Sequence, residues 1–456
     1  MNILIIGAGK AGSCLAELLM QEGHDITVVD KNEHVVKQIS NTLDVIGCVG
    51  NGATYPVLRS AGAEKCDIVI ACTVSDEINL LCCLAAHRLG AKHTIARVRN
   101  PEYSDQLVAM KDDLSLSMAI NPERAVAAEI ARILRFPSAT HVELFAHGRV
   151  ELVSLRLDAD DVFNGVMLRD LSKRFGVKVL ICAVDRDDAV VIPGGDFVLR
   201  AGDEVYLTGA PNEVTKMFRK AKIGTNSAKN VMVAGGSRIA YYLAKQLEKE
   251  TNMNVKIIER DEARCEELAE LLPGTAILHG DVADHELLGE EGINNMDAFV
   301  ALTGLDEGNI LSALYADMKK VPKIIAKVNN VNLVELVKGS ELESVITPKL
   351  VTANLILSYV RALEASSPNR GALTVYRFVG GRAEMLGFRV ARNDTGDYTN
   401  VPLSELRTKK GVLIASIVRH GRVIIPGGAD CILPGDDVLV VTTSGGFNEL
   451  SDILEA

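Results

Sequence analysis

The chain has 456 residues, 48% apolar and 24% charged, the composition of a globular protein with room for two to four domains. Sixty acidic against forty-nine basic residues leave a net charge of −11, which argues against a nucleic-acid partner. The 4% aromatic content, with no Trp, argues against a base- or sugar-stacking surface. Nine scattered cysteines contain no CxxC pair and read as small apolar residues of a reduced cytosolic protein.

In chain order, Asn2-Ile3-Leu4-Ile5-Ile6 reads as a buried strand, without the basic start and cleavage site of a signal peptide. Gly7-Ala8-Gly9-Lys10-Ala11-Gly12 follows, then a helix and a strand ending Val28-Val29-Asp30. Further strands fall near residues 43–48, 67–71 and 94–98. Strands alternating with helices predict a parallel sheet with right-handed crossovers. Asn121-Pro122 opens an amphipathic helix over Ala125–Phe136, with Asn as cap and Pro in the first turn. Its apolar face, with Ile130, Ile133, Leu134 and Phe136, packs either on its own sheet or on a second domain. A shorter strand-rich stretch follows, with a hairpin around Asp187-Asp188. Lys220–Lys229, containing Gly224, Thr225, Asn226 and Ser227, reads as a linker. No run of about 18 uninterrupted apolar residues is present to span a membrane.

The same order then repeats. Asn230-Val231-Met232-Val233 precedes Gly235-Gly236-Ser237-Arg238-Ile239-Ala240, and Val255–Ile258 leads to Glu259. Ala71–Asn79 is echoed by Ala301–Asn309, and Ile95–Val98 by Ile325–Val328. Thr347-Pro348 opens the twin crossover helix, Val351–Leu363. Ile192-Pro193-Gly194-Gly195 returns as Ile425-Pro426-Gly427-Gly428, and a second hairpin falls at His420-Gly421. The expected fold is α/β: two Rossmann-type parallel-sheet nucleotide-binding domains, each followed by a small α+β domain. The expected boundaries are 1–137, 138–222, 229–364 and 370–456. These domains are called N1, C1, N2 and C2 below.

In N1 the strict GxGxxG lies between a strand and a helix. Its glycines serve the tight turn, the close approach of a pyrophosphate and helix–strand packing. The helix N-terminus adds free N–H groups and a positive dipole end. Asp30, about twenty residues on, can accept both ribose hydroxyls and would repel a 2′-phosphate, favouring NAD(H) over NADP(H). Asn51 at the third strand end could meet the adenosine half. Thr73, Val74 and Ser75 end the fourth strand and line the cleft, unless Thr73 merely caps the next helix. Arg97 at the fifth strand end either offsets phosphate charge or makes an internal salt bridge. In N2, Ser237 stands where N1 has its second glycine, and its Cβ obstructs the closest pyrophosphate approach. Ala240 is tolerated in the third place. Glu259 keeps the ribose acid, Asp281 replaces Asn51 and Lys327 replaces Arg97. N2 is therefore expected to bind a nucleotide more weakly than N1, or a different one.

No catalytic set is legible. A dehydrogenase needs a group to move a proton alongside hydride, usually a His, Lys or Tyr. The nine histidines are scattered, and no GxxxxGK[ST] loop is present. A regulatory role fits better than the alternative, an NAD-dependent oxidoreductase.

The domain order, the GAGKAG loop, Asp30, Thr73, the Asn121-Pro122 helix and the Ile-Pro-Gly-Gly motif together resemble the TrkA family of bacterial Trk potassium-uptake regulators. The resemblance covers nearly the whole chain. It implies two RCK (KTN) nucleotide-binding domains, each followed by an RCK_C (TrkA-C) domain. It further implies a cytoplasmic regulatory subunit, peripheral on the inner membrane's cytoplasmic face, that docks on a Trk-type potassium-transporting membrane protein and gates it when nucleotide changes its shape. A homo-oligomer, dimer or larger, is expected. Binding positions implied for N1 are Gly7, Ala8, Gly9, Lys10, Ala11, Asp30, Thr73, Val74 and Val98 beside Arg97. Those for N2 are Ser237, Arg238, Ile239, Glu259 and Thr303. NAD (NADH or NAD+) is the expected ligand, and whether ATP or ADP competes in either cleft stays open.

Overall fold

The computed structural model describes residues 1–110, 113–135, 141–146, 148–187, 189–221, 228–250, 253–330, 332–334, 344–365, 374–379, 382–391, 394, 396–444, 447 and 449–455. N1 contains β1 (Asn2–Ile6), α1 (Lys10–Gln21), β2 (Asp25–Asp30), α2 (Glu33–Thr42), β3 (Ile46–Val49), α3 (Tyr55–Ser60), β4 (Ile68–Ala71), α4 (Asp76–Leu89), β5 (His93–Arg97), α5 (Pro101–Met110), β6 (Met118–Ile120) and α6 (Pro122–Arg135). Its strands pair in parallel in the order β3-β2-β1-β4-β5-β6. Chain direction across the sheet reverses between β1 and β4, and the crevice at that switch point is where such sheets hold ligands.

C1 contains β7 (His141–Phe145), β8 (Val150–Arg156), α7 (Leu168–Phe175), β9 (Val179–Arg186), β10 (Ala189–Val191), β11 (Glu204–Gly209) and α8 (Pro211–Ala221). Its sheet is antiparallel, in the order β10-β9-β11-β8-β7. N2 contains β12 (Asn230–Ala234), α9 (Arg238–Glu250), β13 (Asn254–Glu259), α10 (Glu262–Leu271), β14 (Ala276–His279), α11 (His285–Glu290), β15 (Ala298–Ala301), α12 (Asp306–Met318), β16 (Lys323–Lys327), β17 (Ser344–Ile346) and α13 (Pro348–Ala365). Its six parallel strands take the same order as those of N1. C2 contains β18 (Thr374–Phe378), β19 (Ala383–Arg389), β20 (Val412–Arg419), β21 (Arg422–Ile424) and β22 (Asp437–Thr442), again antiparallel.

Several expectations are corrected. The third strand begins at Ile46 rather than 43, because the Leu43 N–H still bonds to Ile39 and closes α2. The fifth strand ends at Arg97, and Val98 turns inward to donate its N–H to the Ile120 carbonyl. A sixth, three-residue strand follows, too short for a periodicity to show. Both crossover helices start at their proline, as Asn121-Pro122 and Thr347-Pro348 imply. Lys220 belongs to α8, not to a linker, because Val214, Met217, Phe218 and Ala221 bury that helix's face. Residues 222–227, Phe136, the 137/138 boundary and the start of C2 at 370 lie outside the described residues, as do Asp188 and His147. The hairpins are as expected: Asp187 has φ +52, and His420 and Gly421 have +48 and +78. Two successive positive φ values match the strand twist across a two-residue turn.

The chain forms two compact units, and neither is a half of the sequence. One holds residues 1–131 and 228–357, the other 132–227 and 358–456. In the first unit, Leu4, Ile6, Val29, Val69 and Ala96 core N1, while Met232, Ala234, Ile258 and Phe299 core N2. Ile130 and Leu134 of α6 are fully buried. Five of the nine cysteines are buried too, serving as small apolar residues.

In the second unit the C1 and C2 sheets share one core. Phe145, Leu152, Cys182 and Tyr206 meet Phe378, Met385, Ala415 and Leu439. Phe145 and Tyr376 pack edge to face with centroids 5.6 Å apart. Arg382 of C2 pairs with Asp185 of C1 at 2.6 Å. Each small domain also holds a buried acid. Asp203 is 2% exposed and takes both Arg186 Nε and Nη2 at 2.7 Å, plus the Arg200 N–H at 2.8 Å. Asp436 repeats this with Arg419 at 2.9 and 2.8 Å and the Leu433 N–H at 2.8 Å. No helix among the described residues is long and apolar enough to cross a membrane.

Candidate functional site

The N1 cleft is assembled at the β1 and β4 ends. Gly7 has φ +104, which an L side chain rarely adopts, and a Cβ there would lie 3.0 Å from the backbone of Cys72 and Thr73. A Cβ on Gly12 would overlap the Gly7 carbonyl, so the third glycine lets α1 sit directly on the turn. Gly9 differs: it is exposed, and a Cβ there would meet nothing within 4 Å. That open space is where a pyrophosphate would approach. No side chain caps α1 and no acid lies in its first turn, so its N–H groups and dipole remain available to an anion.

Asp30 faces this turn. Its Oδ2 accepts the Ala8 N–H at 2.7 Å and its Oδ1 the Asn32 N–H at 2.9 Å. A carboxylate oxygen has a second lone pair, so both oxygens keep capacity for ribose hydroxyls. Val74 is 92% exposed at the cleft lip, and Lys10 is exposed. Ala11 is half-buried and Ala8 buried. Asn51 spends its Oδ1 on the Ala53 N–H at 3.2 Å, within its own turn. The Val98 side chain is packed in the N1 core.

Thr73 is not the helix cap; Ser75 is, accepting the Ile78 N–H. Thr73 donates both its N–H (2.8 Å) and its hydroxyl (2.7 Å) to Asn79 Oδ1. Asn79 is fully buried and also donates to the Arg97 carbonyl at 2.8 Å. It therefore clamps the β4 and β5 ends together, a role the sequence reading missed. The signal was available: Asn79 and its twin Asn309 recur at the same place, the fourth residue, of the two repeated helices. Among the described residues Arg97 makes no internal salt bridge; it donates from Nη2 to the Thr73 carbonyl. Burial pushes the Cys72 thiol beside it up to about 11, so it is no nucleophile at neutral pH.

N2 repeats the frame and alters the detail. Asn309 holds Thr303 and the Lys327 carbonyl as Asn79 does in N1. Asp281 serves its own turn, as Asn51 does. Ser237 Oγ accepts the Ala240 N–H at 3.4 Å, so it caps α9 in the space that Gly9 leaves open. Arg238 is exposed and Ile239 buried. Lys327 is buried, which pulls its ammonium below the usual value against the pull of the Asp306 and Glu123 carboxylates.

The acid has lengthened from Asp30 to Glu259, while the loop residue bonded to it has shrunk from Ala8 to Gly236. Gly236 N–H reaches Glu259 Oε2 at 2.6 Å, and a Cβ on Gly236 would lie 3.0 Å from Glu259 Cγ and 2.7 Å from Leu268 Cδ1. The two changes compensate sterically. Gly236→Ala is expected to cost about 1–3 kcal/mol by overpacking. Adding Glu259→Asp should recover the part due to the Glu259 Cγ contact, while the Leu268 Cδ1 contact remains. Thermal unfolding of both variants checks this; losses that simply add would refute the coupling.

The cleft ends meet the opposite domain. Asn121, the cap of α6, donates to the Tyr242 hydroxyl of α9 at 2.9 Å. Thr352, Ala353 and Ile356 of α13 line a cavity with Ala11, Leu15 and Ile95 of N1.

The TrkA-N domain model matches residues 3–122 and again 231–348, and the TrkA-C domain model matches 152–222 and 389–455. Over 457 residues the chain is 31% identical to Trk system potassium uptake protein TrkA homolog 1 of Methanosarcina mazei, covering 99% of each. It is 33% identical over 446 residues to Trk system potassium uptake protein TrkA of Halomonas elongata, covering 96% of this chain and 95% of that protein. The solved GsuK channel bound to NAD shares the fold, with a TM-score of 0.62 over 97% of this chain and 77% of that one, at 18% identity.

Proposed function

This chain belongs to the TrkA family, and on that footing we propose that it is the nucleotide-sensing regulatory subunit of a Trk-type potassium-uptake system. In this reading it is cytoplasmic, docks on the cytoplasmic face of a potassium-transporting membrane protein, and works as a homo-oligomer. NADH or NAD+ binds at Gly7–Ala11 and Asp30, and nucleotide-dependent shape change gates the partner. One observation supports this most: the sheet end of the N1 cleft is walled by α13 of N2. A ligand there would touch both domains, and a ligand shifts a conformational equilibrium by contacting one arrangement better than the other. The solved relative in fold is itself described as an NAD-bound channel. Ser237 capping α9 supports a weaker second site.

The test combines calorimetry with absorbance. Intact chain should bind NADH without consuming it over hours, and NADH should alter potassium flux through the co-reconstituted membrane subunit. Sustained NADH consumption with a simple carbonyl compound would replace this reading with an oxidoreductase.

A further inference from the structure

The two ends of the N1–N2 joint can be compared position by position. At the N1 end, α13 of N2 lies against α1 and the β4 and β5 ends. At the N2 end, α6 of N1 meets α9 through Asn121. A cavity of about 20 Å³ remains at the N1 end, room for roughly one water. Ala11 and Cys72 line it from N1, Thr352 and Ala353 from α13. The matching places in N2 carry larger side chains: Ile239 stands for Ala11 and Leu302 for Cys72, both buried. Val300 for Ile70 and Lys327 for Arg97 remove less than these two add. The N2 end is also tied. Asn121 donates to the Tyr242 hydroxyl at 2.9 Å. Their counterparts at the N1 end are Thr347 and Cys14, and no hydrogen bond joins these two among the described residues. The Glu123 carboxylate of α6 further attracts the Lys327 ammonium of N2.

A helix on a filled surface cannot shift without forcing side chains off their rotamers. Beside a void it has room, and the lining has already forfeited some of its contacts. We propose that the N1–N2 joint is a one-sided hinge, in which α6 pins the N2 end and α13 moves over the N1 end by closing or opening the cavity beside Ala11 and Cys72. Ala11 follows the Gly-rich turn directly, so this movement reaches the N1 cleft. The asymmetry of the hinge stands on packing alone. Only its coupling to a bound nucleotide rests on the reading above.

The test is amide hydrogen exchange on the full chain, read by mass spectrometry as protection over residues 122–131 of α6 and 348–357 of α13. Without ligand, the α13 segment should be the less protected by several-fold. Ala353→Leu adds volume at the cavity from the α13 side, away from Gly7–Ala11 and Asp30. It should slow exchange over 348–357 by roughly tenfold, as cavity filling commonly does, and leave 122–131 unchanged. Ala353→Val serves if the larger side chain overpacks and unfolds the chain. Tyr242→Phe removes the hydroxyl that Asn121 reaches and should speed exchange over 122–131 by roughly twofold to tenfold. With NADH, protection over 348–357 should change in the parent and not in the filled variant. Equal protection of the two segments in the parent overturns the hinge, as does a folded Ala353 variant with unchanged exchange over 348–357. NADH that binds and alters 122–131 instead places the moving end at N2 and overturns it too. NADH that binds and alters neither segment overturns the coupling. Failure of NADH to bind sinks the nucleotide reading, while the ligand-free comparison still decides the hinge.

Discussion

Asp30→Ala is expected to weaken NADH binding by roughly 100-fold. The carboxylate would give hydrogen bonds to ribose hydroxyls, and bonds to a charged group contribute about 1.5–3 kcal/mol each. It also holds the Gly-rich turn, through the N–H of Ala8, which is buried. Losing that acceptor leaves a buried donor unsatisfied at about 1–3 kcal/mol, so some thermal stability should go as well. Asp30→Asn separates the two effects. It retains one acceptor oxygen of similar shape, so the turn should survive while the charge is lost. Fluorescence titration and thermal melts of both variants make the measurement. An Asp30→Ala protein that binds NADH within twofold of the parent would remove Asp30 from the site.

Asp203→Ala is expected to lose about 3–5 kcal/mol of stability at neutral pH, the range for stranding one partner of a buried ion pair. Arg186 would keep its charge and its bond to the Val198 carbonyl but lose both carboxylate contacts. Burial alone would raise the Asp203 carboxyl. The Arg186 hydrogen bonds, the Arg200 N–H and the nearby positive charges outweigh it and hold the group below its ordinary 3.8. The direction of the pH effect follows. A depressed carboxyl contributes stability fully above its unfolded value and loses it as pH falls through the folded one. The parent should therefore weaken only below about pH 4. Asp203→Ala should be weak already at pH 7, and the two unfolding curves should converge in acid. A gap that is unchanged at pH 2 would show that the variant acts through packing rather than charge.

The strands, the Gly-rich turns and the duplication were legible because each leaves a local mark. Gly7 and Gly235 occupy positive-φ turns, Asp30 and Glu259 close the strands after them, and both prolines start their helices. The three-residue β6 was not legible, because its place comes from pairing with β5. Of the two readings open for Thr73, the helix cap is excluded, because Ser75 is the cap and Thr73 bonds to Asn79. Tyr242 left no local mark for another reason: its partner, Asn121, comes from the other half of the chain, and no local window holds both. Gly236 is set apart from other loop glycines by the longer Glu259 side chain packed beside it, a contact no local window shows.

Each compact unit is built from both halves of the sequence. Residues 222–227 therefore join partners that already touch twice, once between N domains and once between C domains. Covalent connection of two binding surfaces in one chain turns their pairing into an intramolecular event with a high effective concentration. Pairing within the chain is then first-order. Dilution should leave the two-cleft arrangement intact while dissolving any larger assembly of separate chains. The strict Gly-rich turn of N1 and the serine-capped turn of N2 thus stay within one molecule at any abundance.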